Sequence, residues 1–187
     1  MPQTKILVDS NSYFRLAKSI HPLLFREFGD QQYCLYVLKE LDEEYAVNAR
    51  LKNKFPWVSD PELADNRSHY LAVGRKQKKE IELAFDYIWD HVQTVHKGPS
   101  RIDVLYLAHA YVLGLTVVTD DRDMLAVAEE FNISTRKTLS LMRLMCDCGH
   151  LDEVKVREIV EYWRYMGDRP ADMEKDYRRL FQDEDSG

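Results

Sequence analysis

The chain has 187 residues, enough for one domain of ordinary size with a helical annex. Hydrophobic residues make up 45% and charged residues 31%, with seven glycines and six prolines, which excludes disordered, collagen-like and low-complexity classes. The formal net charge of −6 excludes a protein that holds nucleic acid by backbone neutralisation alone; any such contact has to be local, metal-mediated or assisted by a partner.

Lys5-Ile-Leu-Val-Asp9 reads as a short buried strand that ends on a carboxylate. Ser10, Asn11 and Ser12 can cap a helix over 13–18, and a second helix is expected over 22–28. Gly29-Asp30 breaks the pattern, and the aromatic stretch 32–36 predicts a second strand. A helix is expected over 37–51, with Val37, Leu38, Leu41, Tyr45 and Ala49 on one stripe. Pro56, Ser59, Asp60, Pro61 and Asn66 mark a loop.

A long helix is expected over 67–95, where Ile81, Ala84, Phe85, Ile88, Val92 and Val95 fall at helical spacing, and the stretch 96–99 with Gly98 and Pro99 ends it. An apolar helix over 102–113 stops at Gly114. A strand over 115–119, a helix over 121–131 and a short strand over 132–134 follow. From 138 onward only helices are expected, over 138–148, 152–166 and 171–181, the middle one with Val156, Ile159, Val160, Trp163 and Met166 on one stripe.

Short β-branched runs alternating with helices, with no hairpin signals between them, predict a parallel sheet with helices on both faces. Residues 1–136 form the expected α/β domain and 137–187 a C-terminal helical extension packed on it. No internal repeat is present. No apolar run reaches the roughly 18 residues needed to span a bilayer. The N-terminus lacks a cleavable signal pattern, and three cysteines make no disulfide framework, so a reduced, cytoplasmic protein without a membrane partner is expected. Cys146-Asp-Cys148-Gly-His150 superficially resembles a metal site, but no second Cys/His cluster completes a zinc ligand set.

The chemistry is carried by acids. In an open parallel sheet, sites form beyond the carboxyl ends of the strands. Asp9 closes the first strand, and Asp120, Asp121 and Asp123 follow the strand over 115–119. Glu40 stands in the first turn after the second strand, with Glu43 and Glu44 on the same helical face as alternatives. Asp103 opens the apolar helix. Gathered carboxylates repel one another and raise each other's pKa, and a divalent cation relieves that repulsion. On a phosphodiester such a cation activates water and stabilises the leaving oxygen. Each acid also has a plainer reading: Asp103 in a capping box with Ser100, Asp120 as an N-cap with Asp123 three residues on, Asp9 in a turn, and Glu40 on a solvated helix face.

Four segments taken together resemble the PIN-domain family. Ile6-Leu-Val-Asp9-Ser-Asn11 resembles the opening strand with its first catalytic aspartate. Tyr36-Val-Leu-Lys-Glu40-Leu resembles the segment with the glutamate. Ser100-Arg-Ile-Asp103 with the helix after it resembles the third acidic motif, and Gly114-Leu-Thr-Val-Val-Thr119-Asp-Asp121-Arg-Asp123 the fourth.

The resemblance implies a three-layer α/β/α sandwich and a metal-dependent endoribonuclease that uses Mg2+ or Mn2+ to cleave single-stranded RNA. Asp9, Glu40, Asp103 and Asp121 would be catalytic, with Asp9, Asp103, Asp121 and the peripheral Asp123 around the metal. Thr119 and Asn11 would support that shell. It also implies a toxin of a toxin–antitoxin pair, with an antitoxin partner and a homodimer. Other readings are a non-catalytic PIN scaffold for a protein partner, and a nuclease for branched or flapped DNA.

The basic stretch 67–80 offers Arg75, Lys76, Lys78 and Lys79 for phosphate contacts, which position a strand without reading its bases. Tyr70, Trp57 and Phe55 could stack on bases, although such aromatics more often belong to a core.

Overall fold

The computed structural model of the chain describes residues 2–96 and 98–182. The last five residues of the expected C-terminal extension, 183–187, and Lys97 in the expected helix stop lie outside the described residues.

Four strands, β1 (Thr4–Val8), β2 (Tyr33–Tyr36), β3 (Thr116–Val118) and β4 (Thr135–Arg136), form one parallel sheet in the order β2-β1-β3-β4. Ile6 pairs with Leu35 on one side and Thr116 on the other, which fixes the register of the central strand. Side chains along a strand alternate between faces, and both faces are covered. Ile6, Val8, Leu35 and Val118 belong to one core cluster, and Leu7, Cys34, Tyr36 and Val117 to the other. This is why β1 reads as an unbroken apolar run.

Against the first face pack α1 (Ser10–Leu16) and the C-terminal helices α8 (Thr138–Asp147), α9 (Glu153–Met166) and α10 (Met173–Phe181), through Leu141, Met145, Val160, Trp163 and Tyr177 among others. Against the second pack α5 (Arg75–Val95), α6 (Arg101–Leu113) and α7 (Arg122–Glu130). The result is a three-layer α/β/α arrangement. The helices beyond residue 137 supply much of one outer layer and share a single core cluster with the sheet. Among the described residues no helix is long and apolar enough to cross a membrane.

Several expected elements differ. Residues 22–28 are not helical: Phe25 takes a positive φ of 54°, its N–H donates to Leu35 O, and Phe28 and Tyr33 exchange both backbone hydrogen bonds. The segment satisfies its backbone on β2, so its apolar side chains Leu23, Leu24 and Phe28 reach the core without helical periodicity.

The helix expected over 37–51 is two, α2 (Glu40–Val47) and α3 (Ala49–Lys54), broken at Asn48, whose side chain accepts the N–H groups of Arg50 and Leu51. Asparagine competes for cap positions in this way, and Ala49 turns to solvent instead of joining the buried stripe.

The expected loop over 56–66 holds a 3-10 turn (Pro56–Ser59) and α4 (Pro61–Arg67), each with proline at its start, where the missing N–H is harmless. The long helix begins only at Arg75. Arg67 is instead buried at the end of α4, donating to Asp42 and to the Tyr13 hydroxyl at 2.8 Å each. The last strand lies at 135–136 rather than 132–134, because Ile133 is drawn into the core with its N–H on Ala128 O.

Candidate active site

Asp9 ends β1 and Asp121 follows β3, so adjacent central strands deliver two carboxylates to the same edge of the sheet. Each aspartate is also a helix cap. Asp9, 2% exposed, accepts the Ser12 N–H at 2.7 Å through Oδ1 and starts α1. Asp121 accepts the Met124 N–H at 2.8 Å through Oδ1 and starts α7. Asp103 forms the capping box of α6: its Oδ2 accepts the Ser100 N–H at 2.7 Å, and its own N–H donates to Ser100 Oγ at 3.2 Å. The cap expected at Asp120 is therefore made one residue later.

Capping and catalysis do not exclude each other here. Each cap engages one carboxylate oxygen, whereas an ionised carboxylate offers about four acceptor positions.

The local field is strained by proximity and burial. Burial pushes the Asp9 carboxyl up to about 6, with the charge of Asp120 adding to the rise. Burial also pushes up Asp103, helped by the charge of Asp121. It pushes up Glu44, helped by the charge of Asp103. The Thr119 hydroxyl accepts the Asp121 N–H at 3.1 Å and works against the rise at Asp9 by hydrogen bonding.

Beside these acids lie Ser10 Oγ, Ser12 Oγ and Glu44 Oε2, all buried and without a well-formed hydrogen bond among the described residues, although the Ser10 hydroxyl is near enough to ease Glu44 and that of Ser12 to ease Asp9. A buried carboxylate oxygen left unpaired costs on the order of 1–3 kcal/mol or more. Carboxylates drawn together, each raised by burial and by the charge of a neighbouring acid, fit a hard divalent cation such as Mg2+ or Mn2+.

Of the three glutamates on one face of α2, Glu44 is the one beside Ser10 and in the field of Asp103. Glu40, one turn earlier, is half-buried and shares the field of Tyr106 with Asp9. It lines a cleft of about 650 Å3 with Lys39, Tyr70, Lys78 and His109, its Oε1 4.0 Å from Lys39 Nζ. Leu41 and Tyr45 point α2 into the core. At about 100° per residue, Glu44 lies roughly 80° from the middle of that stripe and Glu40 roughly 120°.

The remaining expected residues are placed as follows. Asn11 is exposed on α1. Asp123 is exposed on α7, its carboxylate pressed so closely on Gly98 that any side chain at 98 would displace it. Arg75, Lys76, Lys78 and Lys79 are exposed on the opening turns of α5, where the helix dipole adds positive charge. Of the four, Lys78 lines the cleft, and Lys76 pairs with Glu80 at 3.7 Å.

Phe55 stacks on Phe14 and Trp57 contacts Tyr13 within the core, while Tyr70 stays exposed and donates its hydroxyl to Asp42 at 2.8 Å. Two residues had no role in the sequence reading. Tyr106, fully buried, accepts the Leu38 N–H at 3.2 Å through its hydroxyl and lies in the field of both Asp9 and Glu40. His109 donates Nδ1–H to Leu105 O at 2.8 Å, and burial lowers its pKa, which leaves a neutral ring with Nε2 free to accept. In sequence it appears only as an interruption of an apolar helix.

No family model and no curated protein matches the sequence. Among solved structures, the chain is similar to the crystal structure of FitAcB from Neisseria gonorrhoeae, at 15% identity and a TM-score of 0.46, over 71% of this chain and 97% of that one.

Proposed function

We propose that the chain is a divalent-metal-dependent endoribonuclease of the PIN type that hydrolyses single-stranded RNA at the pocket formed by Asp9, Glu44, Asp103 and Asp121. The observation that carries this reading is the gathering of acids at the carboxyl edge of a parallel sheet: Asp9, Asp103 and Glu44 are all raised by burial and by a neighbouring acid, and the only hydrogen bond that eases Glu44 comes from the Ser10 hydroxyl. In this reading Glu44 takes the place that the sequence resemblance gives to Glu40, and Glu40 belongs to the substrate cleft beside the pocket.

Asp9, Asp103 and Asp121 would hold Mg2+ or Mn2+, with Asp123 at the periphery. When bound, the ion supplies positive charge that polarises water and offsets the charge developing on the phosphate. Glu44, whose carboxyl is already raised by burial, accepts a proton from the attacking water. Asp9 and Asp121 are held rigidly because each is fixed by the helix it caps, so the pocket is organised before substrate arrives. Lys78 and Lys39 meet the phosphate backbone, and His109 and Tyr70 line the route of the strand. Regulation by an antitoxin that fills this cleft, homodimer formation and a cytoplasmic location belong to the same reading.

The test is cleavage of labelled single-stranded RNA with Mg2+ or Mn2+, comparing wild type with Asp103→Asn, which retains a capping side chain. Cleavage by wild type that needs the metal and disappears in the variant supports the assignment. Equal cleavage by the two rejects it, and flapped DNA in the same assay separates an RNase from a structure-specific DNA nuclease.

A further inference from the structure

His91, His96 and Glu130 bring two imidazoles and a carboxylate together, with one ligand atom from each lying within 4.8 Å of the others. His91 is on the last turn of α5. His96 caps that helix with an extended backbone, φ −116° and ψ 145°, which turns the chain out of the helix just past His91. Glu130 ends α7. The Nε2 of His96 is 2.9 Å from Glu130 Oε1, and the Nε2 of His91 bonds to Glu130 Oε2, so each ring uses a different oxygen of one carboxylate. The edge of the cluster is formed by Phe131, whose ring stands at 84° to His91 with centroids 5.2 Å apart.

From these contacts we infer a second metal site, for zinc or a similar borderline transition metal, formed by His91, His96 and Glu130 and separate from the acidic pocket. In the metal-free protein, an Nε2 proton on each ring donates to Glu130; a cation takes the place of those protons and is bound by the same three groups. A tetrahedral zinc with bonds of about 2.0–2.1 Å holds its ligand atoms about 3.3 Å apart, so closing the cluster needs side-chain movements of little more than an ångström.

The side chains are 33%, 19% and 41% exposed, open enough for an ion to enter and for water to complete its coordination. Two nitrogen ligands favour zinc over magnesium, which prefers a shell of oxygens. The site would tie α5 to α7. Asp123, two turns back along α7, rests against Gly98 in the segment that leads into Ser100 and Asp103, so the same face of α7 supports the approach to the pocket.

The experiment is calorimetric titration of the chelator-treated full chain with Zn2+, together with the visible d–d spectrum of the Co2+-loaded protein. Wild type is expected to take up one equivalent with a tetrahedral Co2+ spectrum at this site, beyond any ion held by the acidic pocket. Asp9→Asn should retain both signals. His91→Ala and Glu130→Gln should each weaken that uptake by more than about tenfold, the lower end of what even an outer-shell partner costs a metal site. Metal-free melting curves of the variants establish that they fold, and His96→Gln serves if His91→Ala does not. Equal zinc affinity in wild type and the folded variants, or uptake lost in Asp9→Asn instead, overturns the site. Uptake lost in Asp9→Asn would assign the ion to the acidic pocket; cleavage itself is tested separately with RNA.

Discussion

Asp120 and Asp121 are consecutive residues that serve opposite ends. Asp120 is buried beneath the C-terminal helices, and its acceptors are engaged. Thr138 gives it both its N–H and its hydroxyl, Arg15 Nη1 lies 3.8 Å away, and Lys137 adds positive charge, although burial still leaves the Asp120 carboxyl raised. Asp121, exposed at the start of α7, adds its charge to Asp103, and Asp103 and Glu44 are both pushed toward protonation, with only the Ser10 hydroxyl easing Glu44. Both regions contain buried acids. In one, Asp120 meets Thr138, Arg15 and Lys137; in the other, Asp9 is the buried acid and its neighbours Asp103, Asp121 and Glu44 add further negative charge instead of cations. Burial and an acidic side chain are common to both, so the charge of the neighbours is what separates a structural acid from a binding one.

The largest expected effect lies at the acidic pocket. Glu44→Gln and Asp103→Asn should each lower kcat/KM for RNA by at least about a hundredfold, or ~2.7 kcal/mol of barrier, with melting temperature nearly unchanged. If Glu40→Gln proves as damaging as Glu44→Gln, the distinction between cleft and pocket fails.

On the side of Asp120 the effects reverse. Asp120→Ala leaves the buried Thr138 groups without their acceptor and Arg15 with Asp168 alone, and should cost on the order of 1–3 kcal/mol in denaturant unfolding, while the activity per folded molecule persists.

Asp9 gives a stability prediction of opposite sign. Its carboxyl rises from an ordinary 3.8 to about 6 on folding. A raised acid is protonated more readily in the folded state, so its charged form opposes folding fully above pH 6, and that cost fades as pH falls toward 4. Asparagine still caps α1 without the charge. Metal-free Asp9→Asn should therefore be more stable than wild type at pH 7.5, by up to about 3 kcal/mol, and the two should converge near pH 4. The comparison of their melting temperatures across that range checks it. A wild type that is the more stable at pH 7.5 contradicts the desolvated-acid account.

The smallest effect belongs to the lysines. Lys78→Ala should weaken RNA binding measurably at low salt and reduce the slope of log affinity against log salt by about one, whereas Lys76→Ala, paired to Glu80 away from the cleft, should do less.

The three-layer order and the acids at strand ends were legible because parallel strands buried on both faces leave unbroken apolar runs, and Ser100-Arg-Ile-Asp103 announces its own capping box. Less legible were features decided by tertiary contacts. Arg67 sits in a basic run, yet it is buried because Asp42 and Tyr13 meet it from distant segments. The stretch 22–28 is apolar enough for a helix, but β2 claims its backbone. Which of Glu40, Glu43 and Glu44 joins the acids is not legible from helical spacing, since all three share a face of α2. His91, His96 and Glu130 are brought together by α5 and α7 packing in one layer, and their separation in sequence gives no hint of it.

The most direct test of the acidic pocket is metal-dependent cleavage of a labelled single-stranded RNA by wild type, Glu44→Gln and Asp120→Asn under one set of conditions. Cleavage that needs Mg2+ or Mn2+, falls at least about a hundredfold in Glu44→Gln and survives in Asp120→Asn is the predicted result. Cleavage that is indifferent to the metal, or that is lost with Asp120 and kept without Glu44, would contradict the account.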